Sequence, residues 1–214
     1  MPFLRPDLHI VVADPHRPGH ELTYYPSESN LRMADIVIVN KVDSADPLNV
    51  EKVKQNIKAV NSEALIIDAA SPIFVDRPDL VKGRRVLVIE DGPTLTHGNM
   101  PFGAATIAAK NLGASVIVNP KPYAVGSIKE TFDRFGHLGS VLPAMGYSDG
   151  QIADLKATVD AVPCDVVLIG TPIDLRRVMQ VNKPTVRVKY ELQVLGPVCL
   201  EDIMERFLAR SRKE

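Results

Sequence analysis

Short apolar runs rich in Val and Ile recur along the chain, at positions 8–13, 36–40, 64–68, 85–90, 115–119, 165–170 and 185–190. Each run is continuous rather than alternating, as a strand covered on both faces requires. Between the runs the apolar positions change to helical spacing. Asp46-Pro47 supplies an N-cap with proline at the first helical position, and Val50, Val53, Ile57 and Val60 carry a predicted helix to Asn61. Ser127 to Glu130 and Ser148 to Gln151 read as capping boxes, Thr171-Pro172 as the start of a helix through Leu175, Val178 and Met179, and Leu200 to Leu208 as a last amphipathic helix before a frayed tail, ARSRKE. Strands alternating with helices predict an α/β protein built from mostly parallel, doubly wound sheet units of the Rossmann-like or P-loop-NTPase-like kind. The Pro-, Gly- and charge-rich stretch 71–85 marks a seam, dividing the chain into residues 1–76 and a second Rossmann-like unit at 77–214.

The first unit carries a chemical motif. The run 36–40 ends in Asn40, Lys41 and Asp43, at the carboxyl end of a strand, where ligands bind in open parallel sheets. Guanine offers O6 and N7 as acceptors and N1–H and N2–H as donors, so an amide and a carboxylate together can read it, while the Lys41 stem covers the ring. Yet no phosphate-cradling G-x-x-x-x-G-K-[ST] loop occurs anywhere in the 214 residues.

Asp14 opens a long loop, DPHRPGHELTYYPSESN. Its length suggests function: His16, Arg17 and His20 are candidates for facing phosphate oxygens, and Asp14 for orienting Mg²⁺ or water. His16 and His20 are four apart, but Pro18 and Gly19 between them break the helix that a metal pair would need, so no metal site is assigned.

In the second unit EDGPTLTHG follows a strand and precedes a helix, an outline of an anion site in which Asp91, Thr94, Thr96, His97 and Gly98 are the candidates. Lys121 and Ser127, and Thr171, Arg176 and Arg177, end two other strands and complete a candidate pocket for a small, multiply charged molecule.

Composition narrows the partners. The net charge of −1 gives no reason to expect nucleic acid, and no run has the length or flanks of a membrane span or signal peptide, so a cytoplasmic protein is expected. Cys164 and Cys199 sit in apolar settings and read as free thiols.

The blocks PDLHIVVADPHRPGHELTYYP, NLRMADIVIVNKVDSADP, RVLVIEDGPTLTHG, KPYAVGSIKETF, LPAMGY and IGTPIDLRR closely resemble the C-terminal half of the cyclic 2,3-diphosphoglycerate synthetase family, also described as predicted P-loop GTPases. The resemblance covers nearly the whole chain. It implies a ligase that uses ATP or GTP with Mg²⁺ to close 2,3-diphosphoglycerate into its cyclic diphosphate, the P-loop coming from an N-terminal half in cis or in trans. Without that half the chain is expected to bind nucleotide or phosphometabolite but not to turn over, since phosphoryl transfer depends on positioning and charge neutralisation. A stand-alone binding module for a phosphorylated metabolite or guanine nucleotide is the alternative, and an open sheet edge near residues 8–13 would allow pairing with another chain, including a second copy.

Overall fold

The apolar runs form strands, and their ends fix where the candidate chemistry sits. The computed structural model describes residues 6–98, 100–145 and 148–211. The last residues of the polar tail, and Gly146 and Tyr147 of the LPAMGY block, lie outside them. Two compact units are present: Met1–Pro72 with Glu191–Glu214, and Ile73–Tyr190.

The first unit runs β1 (Ile10–Ala13), α1 (His20–Thr23), α2 (Ser27–Met33), β2 (Ile36–Val39), α3 (Pro47–Val60) and β3 (Leu65–Ala70). The strands lie parallel in the order β1-β2-β3, Ile10 opposite Ile36 and Val39 opposite Asp68. Leu31, Val37, Val39, Val53 and Ile57 pack on one face of this sheet. The other face needs its own cover, and the sequence reading missed where it comes from. The chain leaves the first unit after Pro72 and returns at Glu191, adding β10 (Gln193–Val194) antiparallel to β3. It ends in α8 (Leu200–Ser211), whose Leu200 and Ile203 close over Ile36, Ile38 and Ile67. The last amphipathic helix therefore belongs to the first unit, and the boundary falls at Pro72 rather than at residue 76. Its apolar stripe was legible, but nothing in a stripe says which sheet it will cover.

One polar residue fastens this layer. Asn61, at the end of α3, donates to the carbonyls of Leu31 at 2.9 Å and Ala34 at 2.8 Å, and accepts from the Ala64 amide at 3.1 Å. Asn61→Ala is expected to lower the stability of the first unit by about 2 kcal/mol, since it leaves part-buried backbone groups without partners. Urea unfolding would check this, with a lower midpoint at an unchanged slope.

The second unit runs β4 (Ile73–Val75), β5 (Arg85–Asp91), α4 (Gly92–Thr96), α5 (Ala104–Asn111), β6 (Val116–Ile117), α6 (Gly126–Arg134), β7 (Leu142–Ala144), α7 (Asp149–Ala161), β8 (Val166–Ile169) and β9 (Thr185–Tyr190). Its sheet order is β4-β9-β8-β5-β6, with β7 also on β5. All pairings are parallel except that of β4 with β9. Val86 to Ile89 and Val166 to Ile169 are fully covered at its centre, as continuous apolar runs require.

The caps test the helix signals one by one. Asp46 accepts from the Leu48 amide and Ser148 from that of Gln151, as expected. Ser127 forms no capping box. It is the second residue of α6, and its amide and hydroxyl donate to Asp154 of α7, which supplies the cap from outside. Thr171 starts no helix either, because only a 3-10 turn, Leu175–Arg177, forms there with Asp174 as its cap. Among the described residues no helix is long and apolar enough to cross a membrane.

Candidate functional site

In the first unit the strand register brings the loops after β1 and β2 together. Ala13 lies opposite Val39, and the Asn40 amide donates to the Ala13 carbonyl at 3.0 Å, so Asp14 and Asn40 leave the sheet side by side. Lys41 then takes φ +62°, the single positive φ at a non-glycine among the described residues. Such a conformation costs an ordinary residue about 1–2 kcal/mol and persists only where neighbours fix it. Here they do so from every side. Asn40 Oδ1 accepts the Lys41 amide at 2.9 Å, the amides of Ser44 and Ala45 both reach the Lys41 carbonyl, and Asp14 Oδ2 receives the ammonium at 2.7 Å. Asp43 is exposed, and its Oδ1 accepts the Ser71 amide at 3.1 Å, which ties the loop after β2 to the end of β3.

Asn40 is thus set up as a donor. Its oxygen is used on Lys41, which leaves Nδ2 for acceptors of the guanine type. Asp43 offers the complementary carboxylate. The three residues read as a base motif are brought together at one strand end.

The loop after β1 behaves less uniformly. Asp14 accepts the His16 amide at 3.0 Å and Arg17 Nη2 at 3.0 Å in addition to Lys41. Burial by itself would raise its carboxyl, but the Lys41 bond and charge, the His16 amide and Arg17 outweigh burial and hold it below 3.8. Both Asp14 oxygens are thus engaged within the protein, Oδ1 by the His16 amide and Oδ2 by Arg17 and Lys41. Among the described residues no group of three or more His, Cys, Asp and Glu side chains is placed to hold a metal. Because the folded value lies below the unfolded one, the stability Asp14 contributes is complete above about pH 4 and is lost as pH falls through the folded value. Asp14→Asn should remove that acid-labile increment, and urea midpoints at pH 3 and pH 6 should then lie closer together than in the wild type.

Asp14, Arg17 and His20 line one cavity of about 450 Å³ with Glu21, Tyr24 and the edge of β1. His16 is not part of that wall; its Nε2 meets Ser44 Oγ at 3.1 Å. His20 opens α1 behind Gly19 and stacks on Tyr24, so no helix joins the two histidines. Glu21 is buried against the Gly19 amide and Asn56. The cavity wall therefore balances Arg17 with carboxylates and is not a cationic cradle.

In the second unit β5 has β8 on one side and β6 and β7 on the other. The crevice at the carboxyl ends of β5 and β8 is the switch point where such sheets bind ligands. Ile89 lies opposite Ile169, which sets Glu90 beside Gly170. Glu90 is 2% exposed and accepts from the amides of Gly103 at 3.1 Å, Ala105 at 3.4 Å and Thr106 at 2.8 Å, and from Thr106 Oγ1 at 2.8 Å. The N-terminus of α5, expected to meet an anion, is met by the protein's own carboxylate. Burial raises the Glu90 carboxyl, more than these hydrogen bonds lower it. A Cβ at Gly103 or Gly170 would collide with it, which is why both are glycine.

The other predicted residues are mostly engaged locally. Asp91 caps α4 through the Thr94 amide and hydroxyl, Thr96 Oγ1 donates to the Gly92 carbonyl, His97 packs edge-on to Phe135, and the Gly98 amide reaches the Pro93 carbonyl. Lys121 lies over the Phe132 ring, Arg176 is paired with Asp174 and Asp76, and Arg177 is exposed. Thr171 Oγ1 donates to the Ile173 carbonyl.

Three residues escaped the sequence reading. Arg187 is buried in β9 and donates to the carbonyls of Ile169, Pro172 and Ile173, pinning the loop after β8. Tyr190 follows at the strand end, its hydroxyl pushed up by burial and then by Asp91 and Glu90, against Arg187. Glu90 is the third. An arginine inside the run TVRVKY was the visible signal, because a cation in a covered strand needs partners.

Residues 3–68, which hold β1, β2, most of β3 and the Asn-Lys-x-Asp motif, match the sequence family described as CobW/HypB/UreG, nucleotide-binding domain. Over 212 residues the chain is 55% identical to arginine synthetase ArcE of Thermococcus kodakarensis, a match covering 99% of this chain and 47% of that protein. The chain thus spans about half the length of the curated relative it matches. The mostly parallel α/β architecture is consistent with a P-loop-NTPase-like fold, and residues 3–68 of the first unit are similar to a nucleotide-binding family.

Proposed function

We propose that the first unit forms the base-reading wall of a nucleotide site, and that the chain serves a nucleotide-dependent synthetase whose product is arginine or a related guanidino amino acid. The observation that carries the nucleotide reading is the pre-organised loop after β2, with Lys41 held in a left-handed conformation between Asn40 and Asp43. The substrate class rests on the second unit and on the relative. Cyclisation of 2,3-diphosphoglycerate, implied by the resemblance of the sequence blocks, would ask the crevice to gather several unpaired cations. Instead Arg176 is paired with two carboxylates, Arg187 is committed to carbonyls and Lys121 lies on an aromatic ring, while Glu90, Asp91 and Tyr190 end the central strands. That balance suits a neutral or cationic substrate better than a polyanion. The relative 55% identical to this chain is named for arginine.

Phosphate binding is assigned to a further polypeptide segment carrying a phosphate loop, in cis or in trans. β1 supports this, because among the described residues it is an edge strand, with Val12 60% and Ile10 37% exposed, a row suited to strand addition. Mg²⁺ would arrive with the nucleotide phosphates, which supply ligands to it. In this chain alone, binding without turnover is the expected behaviour.

Thermal unfolding with millimolar arginine or 2,3-diphosphoglycerate separates the two substrate classes. Saturating arginine should raise the midpoint by about 5 °C or more, and the diphosphate should leave it unchanged. Stabilisation by the diphosphate alone would favour the cyclising reaction.

A further inference from the structure

We propose that Asp14 is a positioning residue for base recognition: it clamps Lys41, and through it the whole Asn40–Asp43 loop, in the conformation that meets the base. The inference deepens the nucleotide reading above and rests on it.

Two straps cross from the loop after β1 to the loop after β2, and both end on Lys41. The first is direct, from Asp14 Oδ2 to the Lys41 ammonium at 2.7 Å. The second runs from His16 Nε2 to Ser44 Oγ at 3.1 Å, and Ser44 Oγ in turn donates to the Lys41 carbonyl at 3.3 Å. Asp14 also accepts the His16 amide at 3.0 Å, so one carboxylate sets the root of both straps. With its φ of +62° Lys41 would relax to an ordinary conformation unless held. The loop after β1 is therefore a clamp on the base reader. Arg17 shares the same Asp14 oxygen at 3.0 Å and lines the cavity at the β1 edge, so that wall is linked to the base loop through a single carboxylate.

A double-mutant cycle on this chain tests the clamp. Dissociation constants for GDP and ADP would be measured in the wild type, Asp14→Asn, Lys41→Met and the double variant, with amide exchange followed in each. The clamp predicts that Asp14→Asn weakens GDP about tenfold and narrows the GDP-to-ADP ratio, and that it adds nothing once Lys41 is Met. It also predicts that the amides of Val42, Ser44 and Ala45 exchange at least about tenfold faster in Asp14→Asn while those of Val37 and Val39 do not change. Additive losses in the cycle, or losses that vanish when Mg²⁺ is withheld, would overturn the clamp in favour of an independent or metal-mediated role. If the wild type shows no base preference, the nucleotide reading falls instead. The clamp is then decided by exchange alone, and unchanged protection of residues 42–45 would refute it.

Discussion

Glu90→Ala is expected to destabilise the second unit by about 3 kcal/mol or more, among the largest effects of any single replacement in the chain. Four donors from the start of α5 converge on this carboxylate. Removing it leaves the buried amides of Ala105 and Thr106 without acceptors and opens a void between Gly103 and Gly170. Glu90→Gln should cost less, because it keeps the shape and one oxygen for Thr106. The two variants also differ from the wild type in pH dependence. Burial raises the Glu90 carboxyl above 4.5, so in the folded chain its ionisation is disfavoured relative to the unfolded one. Its penalty is complete above the folded value and is relieved as pH falls from that value towards about 4.5. The wild-type second unit should accordingly gain stability on mild acidification, and both Glu90 variants should lose that gain. Denaturant unfolding at a series of pH values between 8 and 5 reads both effects, provided the transition of each unit is followed separately.

The second large effect concerns the base. Guanine presents two donors, N1–H and N2–H, to a carboxylate such as Asp43. Xanthine carries a carbonyl in place of the amino group, and so asks for one acceptor and one donor, which an amide supplies. Asp43→Asn should therefore weaken GDP by about 100-fold and strengthen XDP by a similar factor, since each mismatch leaves about 1–3 kcal/mol of unpaired polar group. Asp43 is exposed, and its bond within the fold is to the Ser71 amide, so the replacement should leave the fold intact.

What the sequence revealed and what it hid follow from the range of the forces involved. Strand runs such as Val166–Ile169 and the Asp46 cap were legible because apolar patterning and capping act within a few residues. Partners far apart in sequence were not. Ser127 looked like a local cap, yet its partner is Asp154, 27 positions away. The Gly- and Thr-rich turn after β5 looked like an anion site because it had the chemistry of one, but the carboxylate that fills it is Glu90, at the end of the preceding strand. The destination of α8 could not be read from its own stripe, since any uncovered sheet face would satisfy it. At the first strand ends the residue types were legible in Asn40, Lys41 and Asp43, whereas the left-handed turn at Lys41 and its tether to Asp14 depend on the register of β1 against β2.

The central claim is that the loop after β2 reads a nucleotide base. Isothermal titration of the wild type and Asp43→Asn with GDP, ADP and XDP tests it most directly. The account predicts that the wild type prefers GDP to ADP by about tenfold or more and that Asp43→Asn exchanges GDP for XDP. Equal, or equally absent, binding of all three nucleotides by both proteins would contradict it.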